Sequence, residues 1–119
     1  MSFFFREGNP ARKSREDVMK LYIDTSNSEK IEIGIGNKRF TASSKKQKAQ
    51  MLLPFVVEKL ESEKKEFTDI KEIEINPGPG SFTGLRVGLS VANAISYALK
   101  VPVNGKKVWV GEKVELKYE

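Results

Sequence analysis

The groups most able to do chemistry lie around one loop rich in glycine and proline. This signature loop, residues 77–83, reads Pro77, Gly78, Pro79, Gly80, Ser81, Phe82 and Thr83. A helix that starts at such a loop has unused backbone N–H groups, and these attract anions, as they do in phosphate loops. However, the spacing matches neither GxxxxGK[ST] nor GxGxxG. The loop therefore predicts either anion binding or a purely structural connection in which Ser81 caps the helix.

Nucleophilic catalysis by a hydroxyl group is a second possibility. In a small hydrolase or acyl-transfer enzyme, Ser81 or Thr83 would be the nucleophile. Asp24 or Asp69 would then have to lie nearby. The sequence contains no histidine, which is the most common general base in proteins. A capping role explains Ser81 without any reaction, so the enzymatic interpretation stays the alternative.

The absence of both cysteine and histidine restricts the chemistry further. It excludes disulfides, thiol nucleophiles and nearly every zinc site, so we expect neither a metal nor a cofactor. The net charge of +5 leaves a stand-alone RNA-binding module open, but no aromatic platform accompanies the lysine pairs. No apolar run is long enough to span a membrane, and residues 3–5, three phenylalanines, are too short for a signal-peptide core. We therefore expect a cytoplasmic protein that does not bind membranes.

Apolar periodicity places the signature loop between a strand and a long helix. The predicted strands are 20–24, 30–36, 38–43, 70–75 and 101–103, and the first three should form an antiparallel meander. The first helix is predicted over 45–65, although Pro54 within it suggests a later start. Residues 1–17, with a basic part at 6–15, are predicted to be a flexible extension, and 106–119 a C-terminal hairpin.

The second helix carries an apolar pattern that indicates a protein partner. Small residues recur every four positions, at Gly84, Gly88, Ala92 and Ser96. Apolar residues cover most of its circumference, which is typical of a helix buried on two sides. We therefore predict an intermolecular helix bundle whose interface comprises Met51, Phe55, Gly84, Arg86, Val87, Gly88, Val91, Ala92 and Ile95. The alternative is that the small residues only fit the helix against its own sheet. Arg86 would either pair with an acidic group of the partner or be solvated.

The loop and the residues after it resemble a known family. Residues 78–89, GPGSFTGLRVGL, followed by Ala92, Ala98, Leu99 and the run Val101, Pro102, Val103, are similar to the signature of the TsaB (YeaZ) family. Residues 21–26, LYIDTS, resemble the opening strand and turn of this family and of its paralogue TsaD. Leu52, Leu53 and Pro54 also fit. The resemblance spans about residues 20–104.

This resemblance implies an α/β fold class, a single actin-like (ASKHA, RNase H-like) lobe. The expected lobe, residues 18–105, has a mixed five-stranded sheet and two main helices, and the hairpin at 106–119 would replace a second lobe. Usual members carry two lobes. An actin-like fold holds a nucleotide in the cleft between its two lobes, and a single lobe supplies at most half of the contacts, so we expect no independent ATP binding. TsaD uses a histidine pair on its first helix for metal, and the matching stretch here, 47–54, contains no histidine.

The resemblance also implies a function. TsaB proteins are non-catalytic partners of TsaD, which forms N6-threonylcarbamoyladenosine in tRNAs that read ANN codons, and the ATPase TsaE joins them in bacteria. TsaB and TsaD associate through the two helices. A homodimer through the same patch is implied when TsaD is absent, and contact with tRNA only through the complex.

Overall fold

The computed structural model describes residues 19–44 and 48–118. Its four strands are β1 (Met19–Asp24), β2 (Lys30–Ile35), β3 (Lys38–Ser43) and β4 (Ile70–Ile75). Its two α-helices are α1 (Lys48–Ser62) and α2 (Phe82–Leu99), and short 3-10 turns occupy Phe67–Asp69 and Val108–Val110. The predictions for residues 1–17, including the three phenylalanines and the basic part at 6–15, lie outside the described residues.

The strands form one sheet in the order β3–β2–β1–β4. The predicted meander of β1, β2 and β3 is confirmed, and β4 pairs with β1 in parallel. Every second side chain of these strands points to the same face, which packs against α1 and α2. The buried side chains of this face include Leu21, Ile23, Ile31, Ile33, Ile73 and Ile75. The mixed α/β class with two main helices is thus confirmed.

The predicted fifth strand at 101–103 is not a strand. Pro102 has no N–H to donate, and its carbonyl oxygen accepts a hydrogen bond from the Ile73 amide at 2.8 Å. The Asn104 amide donates back to the Ile73 oxygen, and Asn104 then turns to a φ of 50°. Its side chain bonds to both the amide and the carbonyl oxygen of Ile75, at 2.8 and 3.2 Å. Asn104 therefore ends the ladder by taking the place of the next strand residue.

Helix α1 tolerates a proline in its interior rather than in its first turn. It begins at Lys48 and includes Pro54, whose ring is exposed. An interior proline costs about 3 kcal/mol. Leu52, Val56 and Leu60 are buried on the other side of the helix, and each such side chain stabilises the fold by about 1.5–3 kcal/mol. Packing against the sheet thus outweighs the cost of the proline.

The predicted C-terminal hairpin is wrong. The chain instead forms the 3-10 turn Val108–Val110, which ends at Gly111 with a φ of 101°. Residues 112–118, the C-terminal tail, then run beside the signature loop. Val114 and Leu116 of the tail pack against the core, so the tail gains more apolar contact there than in a two-stranded hairpin.

Candidate functional site

The signature loop connects β4 to α2 and is packed closely against its own chain. Ser81 caps α2 as predicted, because its Oγ accepts a hydrogen bond from the Gly84 amide at 3.0 Å. Gly78 has a φ of 114°, and a Cβ there would collide with the carbonyl oxygen of Lys117. A Cβ at Gly80 would lie 2.6 Å from the Cβ of Ser26. The glycines of this loop therefore allow the approach of neighbouring chain segments rather than of a ligand.

The carboxylate of Asp24 organises the strand ends next to the loop. Its Oδ1 accepts hydrogen bonds from the amide and the hydroxyl of Ser26, at 3.0 and 2.7 Å. Its Oδ2 accepts from Asn76 Nδ2 and from the Tyr22 hydroxyl, both at 3.3 Å. Burial by itself would raise the pKa of Asp24, but the hydrogen bonds from Ser26, Asn76 and Tyr22 outweigh it and hold the pKa below its usual value. The carboxylate thus ties the ends of β1 and β4 together and is a weak base.

The groups of the hydrolase alternative are not assembled. Asp69 lies before β4 and Ser81 after it, so this six-residue strand, about 20 Å long, separates them. Asp69 Oδ2 accepts a hydrogen bond from the Glu66 amide at 2.8 Å. The oxygens of Asp24 are engaged with its own strand-end neighbours, and Thr83 is exposed in the first turn of α2.

The stripe of small residues on α2 faces its own sheet. The Thr25 hydroxyl donates a hydrogen bond to the Gly84 carbonyl oxygen at 2.5 Å. A Cβ at Gly84 would collide with the backbone of Thr25, and a Cβ at Gly88 with the Thr25 hydroxyl. Ala92 is fully buried. The structure therefore supports the alternative interpretation of this stripe. Gly84, Gly88 and Ala92, which were predicted to contact a partner, are covered by the chain itself.

An apolar groove lies between α1 and α2, beside that stripe. It has a volume of about 390 Å³ and is lined by Leu53, Phe67, Ser90, Val91, Ala94, Ile95, Ala98 and Leu99. Among residues 19–44 and 48–118, no charged side chain lines this α1–α2 groove. Ser90, Ala94 and Ala98 recur every four residues and are exposed, and Leu53 is 44 % exposed. Small side chains on the wall of a groove let another helix approach closely.

The structure divides the predicted interface. Val91 and Ile95 line the α1–α2 groove. Met51, Phe55 and Val87 are half-buried and pack against the core, and they do not line the groove. The predicted interface lacks six residues of the groove, Leu53, Phe67, Ser90, Ala94, Ala98 and Leu99. A second four-residue spacing, Ser90, Ala94 and Ala98, was the signal that could have identified half of these six residues.

Arg86 is exposed at the loop end of α2. Its guanidinium carbon lies 5.3 Å from the centre of the Phe82 ring, which is itself 57 % exposed. The ring of Tyr118 lies on Phe82, with the two ring centres 4.6 Å apart and the ring planes at 43°. Arg86 and the signature-loop residue Phe82 therefore belong to one stacked cluster with the tail.

Neither a metal cluster nor a membrane helix is found in the part of the chain that the structure describes. Within residues 19–44 and 48–118, no three His, Cys, Asp or Glu side chains are grouped so that they could hold a metal ion. The helices of the same residues are too short or too polar to cross a membrane.

Comparison with known proteins gives a consistent family. The family model described as TsaD, tRNA N6-adenosine threonylcarbamoyltransferase, matches residues 40–105. The tRNA threonylcarbamoyladenosine biosynthesis protein TsaB from Buchnera aphidicola of Acyrthosiphon pisum is 36 % identical over 59 residues, which are 50 % of this chain and 27 % of the relative. TsaB from Buchnera aphidicola of Schizaphis graminum is 29 % identical over 89 residues, covering 71 % of this chain and 42 % of the relative.

A solved structure agrees with these relatives. YeaZ from Pseudomonas aeruginosa is 27 % identical and superposes with a TM-score of 0.62, covering 71 % of this chain and 41 % of that protein. The actin-like fold expected from the sequence is thereby confirmed. The chain spans between about a quarter and two fifths of the length of the curated relatives named above. Because the family match covers more than half of the chain, and the relatives are TsaB and YeaZ proteins, the chain belongs to the TsaB (YeaZ) branch of the TsaD-type family.

Proposed function

We propose that this chain is a non-catalytic partner of TsaD in the formation of N6-threonylcarbamoyladenosine in tRNAs that read ANN codons. The observation that carries the proposal is an exposed apolar groove on the two helices of a TsaB-type chain. In the complex, TsaD transfers the threonylcarbamoyl group, and the chain meets tRNA only through TsaD. TsaE joins the same complex, and a homodimer forms through the groove when TsaD is absent.

The chemistry of the α1–α2 groove favours a helical partner. Leu53 and Val91 expose apolar surface to water, and covering such surface yields about 25 cal/mol per Å². Ser90, Ala94 and Ala98 give one wall a low profile, which suits the interaxial distance of about 8–10 Å between packed helices. The described residues of the lining carry no charge, so none of these side chains has to give up the hydration of an ion on association.

An accessory role fits the polar groups near the loop better than catalysis does. Ser81 Oγ accepts the capping hydrogen bond of α2, and the Asp24 carboxylate accepts four hydrogen bonds from the strand ends. A nucleophile needs a base within hydrogen-bond reach. These two groups are instead engaged in holding the loop and the sheet together.

Substitution of Ala94 by glutamate tests the groove directly. The new carboxylate would be buried without a partner group, so we expect Ala94→Glu to weaken the binding of TsaD from the same organism at least about tenfold. Tyr97→Glu is the matched control, because Tyr97 is 56 % exposed on the same helix and does not line the groove. Light scattering gives the stoichiometry and calorimetric titration the affinity.

The outcomes separate the partnership from the place of contact. A complex of TsaD with wild type and Tyr97→Glu, but not with Ala94→Glu, would support both. Equal binding by all three would exclude the groove as the contact. If the folded wild-type chain does not bind TsaD, or binds it without supporting threonylcarbamoyl transfer to tRNA, the proposed function is wrong.

A further inference from the structure

The C-terminal tail is fixed to the signature loop by backbone contacts. The Lys117 amide donates a hydrogen bond to the Pro77 carbonyl oxygen at 2.7 Å. Tyr118 forms an isolated parallel bridge with Gly80. The carbonyl oxygen of Lys117 occupies the space that a Cβ of Gly78 would need, so this close approach depends on the glycine. Tyr118 is thereby held at a defined place beside the start of α2.

The side chain of Tyr118 in turn supports an otherwise exposed stack. Its ring lies on Phe82, whose ring carries the guanidinium of Arg86 at 5.3 Å. Phe82 and Tyr118 are 57 % and 42 % exposed, so neither ring is in place because the core requires it. Tyr118 of the tail thus contacts the Phe82 ring, and the Phe82 ring contacts the Arg86 guanidinium. Removing Tyr118 would leave Phe82 without this aromatic contact and Arg86 on a less restrained ring.

Arg86 has chemistry to offer a partner. Among the described residues, no carboxylate forms an ion pair with it. A guanidinium stacked on an aromatic ring keeps its N–H donors at the edge of its plane, where they can bind a carboxylate through two parallel hydrogen bonds. Arg86 lies one turn before Ser90, the first α2 residue that lines the α1–α2 groove.

We propose that Tyr118 is a positioning residue for Arg86, acting through Phe82, and that Arg86 binds a carboxylate of the partner next to the apolar contact in the groove. The inference rests on the proposed function, because the partner is TsaD. It assigns the tail a role in recognition and gives the partner surface a defined chemistry, an acidic side chain beside an apolar helix. Pre-ordering Arg86 lowers the entropy lost when the ion pair forms.

A double-mutant cycle tests the relay. We expect Tyr118→Ala to weaken TsaD binding by the full-length chain about threefold to tenfold, and Arg86→Gln to weaken it similarly. Tyr118→Phe keeps the ring and should restore affinity to within about twofold of wild type. In the Arg86→Gln background, Tyr118→Ala should change the affinity less than about twofold, because the group it positions is already absent.

The salt dependence of binding distinguishes positioning from a general structural effect. Added salt weakens ion pairs, so the wild-type affinity should fall with ionic strength more steeply than those of Tyr118→Ala and Arg86→Gln. Additive losses in the double variant, or a Tyr118→Ala chain that binds like wild type, would overturn the relay and leave the partnership intact. If neither wild type nor any variant binds TsaD, the proposed function is overturned and the relay with it.

Discussion

Two faces of helix α2 carry small residues at the same spacing and have opposite surroundings. On the first face, Gly84 and Gly88 lie against Thr25 at the end of β1, with no room for a Cβ. On the second face, Ala94 and Ala98 line a groove of about 390 Å³. The sheet-facing residues are small because the fold requires it. The groove-facing residues could be larger without touching the sheet.

This difference shows what a small residue on a helix indicates. Where backbone lies opposite, the small residue is a condition for folding, and replacing it costs stability. Where open space lies opposite, a larger residue would fill it and bury more apolar surface within the chain. A small residue on the open face therefore contributes less to the isolated fold than a larger one would. This is the physical reason for assigning the groove to a partner, rather than the sheet-facing stripe that begins at Gly84.

The largest expected effect comes from exchanging the two faces. Gly88→Leu places a branched side chain against the Thr25 hydroxyl and should lower the free energy of unfolding by about 3 kcal/mol or more. Ala94→Leu introduces the same side chain on the groove-facing side of α2. It should alter the free energy of unfolding by less than about 1 kcal/mol. Chemical denaturation measures both. Equal losses from the two substitutions would remove the distinction between the faces.

The sequence was sufficient to predict four strands and two helices, but not the orientation of α2. Alternating isoleucines and helical periodicity identified the meander, β4 and both helices, because each pattern is local. The four-residue stripe was ambiguous because spacing alone does not reveal that Thr25, far away in the chain, lies opposite Gly84. Asn104 ended the predicted fifth strand through side-chain bonds to Ile75, which periodicity does not encode.

The tail was mispredicted for a related physical reason. Val114 and Leu116 alternate with polar residues, a pattern that is typical of any extended segment with one covered face. The pattern does not specify which segment provides the cover. The bond from the Lys117 amide to the Pro77 oxygen joins parts of the chain forty residues apart, and no turn signal marks such a contact. The tail–loop contact, with the position of Arg86 that follows from it, therefore required the structure.

A smaller effect is expected from a substitution of Asp24. This residue ends β1 and precedes Thr25, which packs against the sheet-facing side of α2. Asp24→Ala leaves the donors of Ser26, Asn76 and Tyr22 without their acceptor, and should lower the free energy of unfolding by about 2 kcal/mol. Binding through the groove should persist in the folded fraction. Thermal unfolding monitored by circular dichroism, together with calorimetric titration, separates the two quantities. A loss of partner binding without a loss of stability would indicate that Asp24 takes part in the partner interface.

The pH dependence of stability tests the contribution of the Asp24 carboxylate to folding and needs no partner protein. The pKa of Asp24 in the folded chain lies below its usual value near 3.8, so the ionised carboxylate stabilises the fold above that pH. This contribution is lost as the pH falls through the folded pKa. The difference in unfolding free energy between wild type and Asp24→Asn should therefore shrink as the pH decreases below about 4. A difference that stays constant would mean that the charge of Asp24 does not contribute.

The smallest predicted effect concerns the start of α2, which both faces share. Ser81→Ala removes the acceptor of the Gly84 amide and should lower the free energy of unfolding by about 1 kcal/mol. Thr83→Ala is the control, since Thr83 is exposed two residues later and does not cap the helix. A loss in Ser81→Ala alone, measured by urea denaturation, would assign Ser81 to capping. If Ser81→Ala and Thr83→Ala are both as stable as wild type, the capping hydrogen bond does not stabilise α2. Ser81 would then have another role.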